Sequence, residues 1–325
     1  MHAHRPNVVV TFGSADAVAQ LVGAGAEVRA LAGLQGEERR RVLAEADAVL
    51  CWNWPRELTA EDAAAVGARF VQLISAGADH FPFDQLPAGA TLASNAGAYA
   101  EPMAEHVLAM TLALLKQLPQ RHRQLAEGVW EQSLTRSLSG SVCGILGFGG
   151  IGQATARRMR ALGATVHAVN TSGRTSEPVE FVGTLDDLDT VLAAADVLVV
   201  SLPLTRRTRG LLGRRQLERM KPDAVLVNVA RGAIVDEADL YAHLQANPRF
   251  SAAIDAWWTE PFHAGEFRVD YPFFELPNVL GSPHNSALVP GIIEEAIARA
   301  AANIRRFLAG EPITGEVPRD EYVES

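Results

Sequence analysis

Residues 142–152, VCGILGFGGIG, decide the fold. The apolar run 142–146 leads straight into a glycine-rich turn, and Gly147, Gly149 and Gly152 keep the G-x-G-x-x-G spacing of a dinucleotide-binding turn. Each glycine answers a physical need. The first permits the tight turn, the second lets the backbone approach a pyrophosphate, and the third allows close helix–strand packing. The Ala/Arg/Met-rich segment 151–162 reads as an amphipathic helix whose N-terminal N–H groups point at phosphates. Such triplets also occur in ordinary turns, but here the strand before and the helix after supply the context that a nucleotide site needs.

Outward from that turn the chain alternates strand-like and helix-like segments. Before it, strands are expected at 7–12, 27–31, 48–51, 70–74 and 91–93, with helices near 16–23, 37–45 and 59–66. Alternation of this kind implies βαβ units and a parallel sheet. A long helix, about 102–118, is expected to stop at Pro119, followed by an arm, 121–140, of mixed charge with an exposed Trp130. The second series places strands at 142–146, 165–169, 196–202, 224–230, 252–255 and 279–282, with helices at 152–162, 185–195, 214–220 and 237–246. A last helix, 291–308, carries an apolar stripe through Ile293, Ile297, Ala300, Ile304 and Leu308 and is read as returning to the first unit. The fold class is therefore α/β, with two doubly wound parallel-sheet domains and a cleft between them. One is a Rossmann nucleotide domain, 99–287; the other is a flavodoxin-like substrate domain, discontinuous, from 1–98 and 288–325.

Composition narrows the function. A chain of 325 residues, 48% hydrophobic and 21% charged, has the make-up of a soluble globular protein. No apolar run approaches a membrane span, and the start, MHAHRPNVVVTFG, has no apolar signal region before its first strand. A net charge of -9 argues against nucleic acid as a partner, because a phosphate backbone rewards basic surfaces. Cys51 and Cys143 both sit in or beside apolar strands, so they read as buried thiols in a reducing cytoplasm rather than as a disulfide framework. Lysine occurs at two positions, Lys116 and Lys221, neither in a pocket-like context, which removes Schiff-base chemistry.

Open α/β sheets bind ligands at the carboxyl ends of their strands, so the polar residues just past strands carry the information. Three stand out: Arg231 in RGAIVDE, Glu260 in DAWWTEP and His284 in SPHNSA. Together they suit hydride transfer to a 2-oxo acid. An arginine fork can hold the carboxylate and polarise the carbonyl. A histidine near neutral pKa can give that oxygen a proton as hydride arrives, and a carboxylate beside the imidazole orients it and favours its charged form. Singly each residue also has a bland reading, as a strand-end, surface or turn residue; three at three strand ends behind a nucleotide turn are unlike chance. The remaining histidines show no metal-ligand spacing: His2 and His4 lie on a loose terminus, and His80 and His106 take structural roles near the cleft. No metal is expected.

At these residues the sequence resembles the D-isomer-specific 2-hydroxyacid dehydrogenase family, and within it the glyoxylate/hydroxypyruvate reductases. The resemblance rests on LGFGGIG, SLPLTRRTRGLL (201–212), VNVARGAIVDEADL (227–240), DAWWTEP (255–261) and LPNVLGSPH (276–284), and extends to ISAGADHF (74–81) and NAGAYAEPMAEHVLAMTLALL (95–115). It implies a two-domain enzyme in which Arg231, Glu260 and His284 are catalytic. It implies that Asp255 contacts the nicotinamide end and that Met103 touches the nicotinamide ring. Cofactor contacts from Gly147, Phe148, Gly149, Gly150, Ile151, Gly152, Leu202, Pro203, Thr208, Val229, Ala230, His284 and Ser286 are implied as well. Backbone at Ser75, Ala76 and Gly77 would hold the substrate carboxylate, with Arg231. A homodimer through the nucleotide domain is implied too, and the 121–140 arm fits it. Departures from the family are Ala256-Trp257-Trp258 where Val-Phe is common, a longer loop 262–271, and Asn285-Ser286-Ala287 after His284.

The residue about 20 positions beyond the glycine turn, where NAD enzymes carry an acid for the ribose 2′-OH, is Asn170. Thr171, Ser172 and Arg174 offer hydroxyls and a guanidinium to a 2′-phosphate, so NADP is the expected cofactor and NAD the alternative. Trp52 and Trp54, in CWNWP, are expected at the substrate, where two rings would shrink the pocket or stack on an aromatic acid; a core role for one of them is equally open. The favoured function is reduction of a small 2-oxo acid to its D-2-hydroxy acid. Phosphite dehydrogenases share Arg, Glu and His and are an alternative, whereas formate dehydrogenases carry Gln where Glu260 stands. The other class is a nucleotide-sensing corepressor, which usually adds extensions; here the end is the short acidic RDEYVES.

Overall fold

Runs of Val, Ala and Leu bounded by polar turns become short parallel strands in the computed structural model, which describes residues 5–323. The chain divides into two units: one runs to Tyr99 and resumes at Pro290, and the other is Ala100–Val289. His2, His4 and the last two residues of RDEYVES lie outside the described residues.

The first unit contains β1 (Asn7–Val10), α1 (Asp16–Val22), β2 (Glu27–Ala30), α2 (Gly36–Ala44), β3 (Ala48–Cys51), α3 (Trp54–Glu57), α4 (Ala60–Ala65), β4 (Phe70–Leu73) and β5 (Thr91–Ala93). Its sheet has the order β2-β1-β3-β4-β5, all parallel. Every residue of β3 and β4 is buried, as expected of strands covered on both faces. One face packs on Leu43, Trp54, Ala63 and Phe83. The other packs on Val18 and Val22 and on the returning helix, Ile292–Leu308. That helix turns inward Ile292, Ala296, Ala300, Ala301 and Ile304, with Ile297 and Leu308 partly buried against the same core. The small alanines let its backbone approach the sheet, and of the stripe read from sequence only Ile293 lies outside that cluster.

The second unit contains α5 (Ala100–Leu115), α6 (Leu118–Ala126), β6 (Val142–Leu146), α7 (Gly150–Ala161), β7 (Thr165–Val169), β8 (Phe181–Gly183), α8 (Leu188–Ala194), β9 (Val197–Val200), α9 (Arg214–Arg219), β10 (Val225–Asn228), α10 (Glu237–Ala246), β11 (Ser251–Ile254), α11 (Pro261–Ala264) and β12 (Val279–Gly281). Its seven strands have the order β12-β11-β10-β9-β6-β7-β8, again parallel throughout. The returning helix of the first unit is accordingly α12. The order reverses beside β6, which places the glycine turn at the topological switch point where α/β sheets bind ligands.

Two local expectations change. Pro119 opens a helix rather than stopping one: α5 ends at Leu115, Gln117 turns left-handed, and α6 starts with Pro119 in its first turn, where its missing N–H costs nothing. The edge strand β8, Phe181–Gly183, was not expected from sequence, since three residues carry too little periodicity. Trp130 is exposed, and both cysteines are free and buried. Burial pushes the Cys143 thiol up to about 12. Among the described residues no helix is long and apolar enough to cross a membrane.

Candidate active site

The glycine turn has the geometry its spacing suggests. Gly147 has φ of 92°, and a Cβ there would lie 2.6 Å from the backbone nitrogen of Leu202. A Cβ on Gly152 would lie 2.2 Å from the carbonyl oxygen of Gly147, so strand and helix approach as closely as backbones allow. Gly149 differs: a Cβ there would meet nothing within 4 Å, which leaves open space before the N-terminus of α7. The first N–H groups of that helix have no acceptor within it and face this opening, a setting that suits a pyrophosphate. The residues present fit a dinucleotide.

The other expected cofactor residues surround the same strand ends. Asn170 follows β7, and its Oδ1 accepts from the N–H groups of Ser172 (3.1 Å) and Gly173 (2.7 Å) while its Nδ2 donates to the Arg174 carbonyl (2.8 Å). Asn170 thus shapes the loop, and Thr171, Ser172 and Arg174 are its exposed members. In the 201–212 segment, the Ser201 hydroxyl donates to the Gly147 carbonyl (2.8 Å), tying this loop to the turn. Thr208 is buried: its hydroxyl accepts from Thr205 N–H (2.8 Å) and donates to the Pro203 carbonyl (2.7 Å). Its side chain therefore braces the loop. Phe148, Leu202, Val229, Ala230, Ser286 and Met103 are all buried, and Pro203 is exposed.

Arg231 ends the loop after β10, with its carbonyl held by Asn228 Nδ2 (3.0 Å) and its own Nη1 donating to the Ala230 carbonyl (2.8 Å). Glu260 is 5% exposed and its Oε1 accepts from the Trp257 N–H (2.7 Å). His284 Nδ1 lies 2.8 Å from Glu260 Oε1 and 2.9 Å from Oε2. A carboxylate only accepts, so Nδ1 must carry the proton it donates, and Nε2 is left for chemistry. The Phe262 ring stands perpendicular to the imidazole, centroids 5.3 Å apart. His284 has φ of 51°, a left-handed conformation that costs a β-carbon residue about 1–3 kcal/mol and persists only where surroundings impose it.

What imposes it was not foreseen. Asp255, expected to touch the nicotinamide end, has no exposed surface. Its carbonyl accepts from the His284 N–H (2.9 Å), and its carboxylate accepts from the N–H groups of Asn285 (3.1 Å) and Ser286 (3.2 Å) and from the Ser282 hydroxyl (2.5 Å). It anchors the His284 loop from within. His106 completes this network, its Nε2 3.0 Å from Ser282 Oγ. Ser282 lies two residues before His284, and His106 shares a face of α5 with Met103 and Met110; those spacings were the available signals.

In the first unit, Ser75, Ala76 and Gly77 form the loop after β4, braced by Ser75 Oγ donating to the Gly77 carbonyl (2.9 Å). Trp52 is 42% exposed, with its ring edge-on to Phe12. Trp54 takes the core role left open for one of the pair: it is 1% exposed, packs against Phe81 and donates from Nε1 to Gln85 (2.9 Å). Trp54 starts a one-turn helix there, with Pro55 in its first turn.

Comparison with known proteins agrees with this architecture. The family model for the NAD binding domain of D-isomer specific 2-hydroxyacid dehydrogenases matches residues 108–286. The chain belongs to the D-isomer-specific 2-hydroxyacid dehydrogenase family. Glyoxylate/hydroxypyruvate reductase B of Pectobacterium carotovorum is 34% identical over 251 residues, 75% of this chain and 77% of that protein. D-3-phosphoglycerate dehydrogenase of Archaeoglobus fulgidus is 34% identical over 271 residues, 81% of this chain but 50% of that protein. The chain thus spans about half the length of the curated phosphoglycerate dehydrogenases it matches. A solved D-isomer specific 2-hydroxyacid dehydrogenase from Xanthobacter autotrophicus Py2, in complex with NADPH and MES, is 29% identical with a TM-score of 0.79, covering 98% of this chain and all of that one (100%).

Proposed function

We propose that this chain is an NADPH-dependent oxidoreductase that reduces a small 2-oxo acid, of the glyoxylate or hydroxypyruvate type, to the D-2-hydroxy acid. The observation that carries the reading is the pairing of His284 Nδ1 with both Glu260 carboxylate oxygens at 2.8 and 2.9 Å. The nicotinamide, when bound by the glycine turn and the α7 N-terminus, supplies the hydride. The chain does the rest. Arg231 holds the substrate carboxylate and polarises the carbonyl. His284 delivers the Nε2 proton to the carbonyl oxygen, and Glu260 stabilises the imidazolium before that proton leaves. Trp52 and the backbone of Ser75, Ala76 and Gly77 are the proposed substrate contacts of the first unit.

NADPH is favoured because Asn170 sets no carboxylate against a 2′-phosphate and turns the exposed Ser172 and Arg174 toward solvent on one short loop. The NADPH-bound structural relative supports this choice. The proposed assembly is a homodimer through the nucleotide unit, whose 127–135 segment is exposed and includes Trp130 and Leu134.

The test follows cofactor absorbance against glyoxylate, hydroxypyruvate, pyruvate, phenylpyruvate and phosphohydroxypyruvate. Turnover is expected with at least one small acid, with higher kcat/KM for NADPH than for NADH. His284→Ala should lower kcat by about 10²–10⁴-fold and leave cofactor affinity near wild type. Turnover of phosphite alone, or wild-type kcat in His284→Ala, would overturn the proposal.

A further inference from the structure

The loop carrying His284 is bonded at three successive backbone N–H groups to one residue. His284 N–H donates to the Asp255 carbonyl (2.9 Å), Asn285 N–H to Asp255 Oδ1 (3.1 Å) and Ser286 N–H to Asp255 Oδ2 (3.2 Å). A buried carboxylate holds such a loop only while its own position is fixed, and Asp255 is 0% exposed. Its remaining donor is Ser282 Oγ, at 2.5 Å. A hydroxyl has one hydrogen, so once Ser282 donates to Asp255 its oxygen can only accept elsewhere. The partner on that side is His106 Nε2, 3.0 Å from Ser282 Oγ and 3.8 Å from Asp255 Oδ1. Nε2 therefore carries a hydrogen, and the donors run in one direction, from His106 to Ser282 to Asp255.

We propose that His106 is a positioning residue for the reaction: through Ser282 it fixes Asp255, and Asp255 holds the left-handed loop that aims His284. This rests on reading His284 as the proton donor. The placement comes from α5, because Met110, one turn beyond His106, sets its sulfur 3.9 Å from the same Ser282 hydroxyl. His106 is a quarter exposed at its side chain, so its ring spans from solvent to the buried carboxylate. A helix of the nucleotide unit thereby reaches the proton donor without touching it.

The experiment uses the full chain with His106→Ala, His106→Gln, His106→Asn and Ser282→Ala. A glutamine amide can replace the Nε2 donor, whereas asparagine is too short and matches Nδ1. His106→Ala and Ser282→Ala are expected to lower kcat on the order of tenfold to a hundredfold, with little change in KM, because the proton donor is misplaced rather than the substrate released. His106→Gln should recover most of the loss and His106→Asn should not. Amide hydrogen exchange of peptides spanning 282–288, measured on the same proteins without substrate, should quicken in the Ala and Asn variants and return in Gln. Exchange in that peptide needs no turnover, so a wild-type chain inactive on every 2-oxo acid would sink the proposed function while the exchange data still decided the role of His106. Unchanged exchange in His106→Ala, or a Gln variant no better than Asn, overturns the inference.

Discussion

At the scale of single residues, three glycines of one motif meet different physical demands, and substitution separates them. Gly149 has φ of −82°, which alanine adopts freely, and nothing lies within 4 Å of its missing Cβ. Gly149→Ala should therefore leave Tm unchanged while weakening binding of the nicotinamide dinucleotide, since the methyl projects into the space proposed for the pyrophosphate. Gly152→Ala would set a methyl 2.2 Å from the Gly147 carbonyl oxygen, and strain of about 1–3 kcal/mol should appear as a lower Tm. Thermal melts and cofactor titrations on the two proteins check this; equal losses of Tm would show that the spacing carries no division of labour. Residue types and spacing were legible here because each glycine's role depends on local backbone. The Asp255 loop anchor was not, since an acid at a strand end reads the same whether it faces a ligand or its own chain.

Elements depend on a few side chains that tie one strand start to another. Asp196 precedes β9; its Oδ2 accepts from the N–H of Val142 at the start of β6 (2.8 Å), and its Oδ1 accepts from Lys221 Nζ (2.8 Å). Burial pushes its carboxyl up, but the Lys221 and Val142 hydrogen bonds and the charges of Lys221 and Arg136 outweigh that and hold it below its ordinary value. A depressed carboxylate stabilises the fold above its unfolded pKa, and that contribution is lost as pH falls through the folded value. Asp196→Asn should accordingly be less stable than wild type at neutral pH, with the gap closing below about pH 4. Denaturant titrations at both pH values test the sign; a gap that widens in acid would refute it. The helix α10 was legible at both its ends, 237–246. The short edge strand β8 was not, because three residues hold no period.

At the scale of the whole chain, α12 supplies one side of the first unit's core across nearly two hundred residues of intervening sequence. Ala296, Ala300, Ala301 and Ile304 pack with Val8, Val10, Leu50 and Phe70. A chain ending at Val289 should therefore lose the first unit's cooperative melt and bind an apolar dye, while residues 100–289 alone should fold and bind a nicotinamide dinucleotide, since they contain all seven strands of the second sheet and the glycine turn. Retention of both melts in the truncated chain would show that α12 is dispensable. The linear sequence by itself determined the alternation of strands and helices, the nucleotide turn and the residue types at the strand ends, because these follow from local backbone geometry and side-chain period. Only the tertiary structure decided that Trp54 enters the core, that Asp255 is enclosed, and that His106, 178 positions before His284, joins the network beneath it. Burial and long-range hydrogen bonding are properties of what surrounds a residue in space, and no spacing along the chain records them.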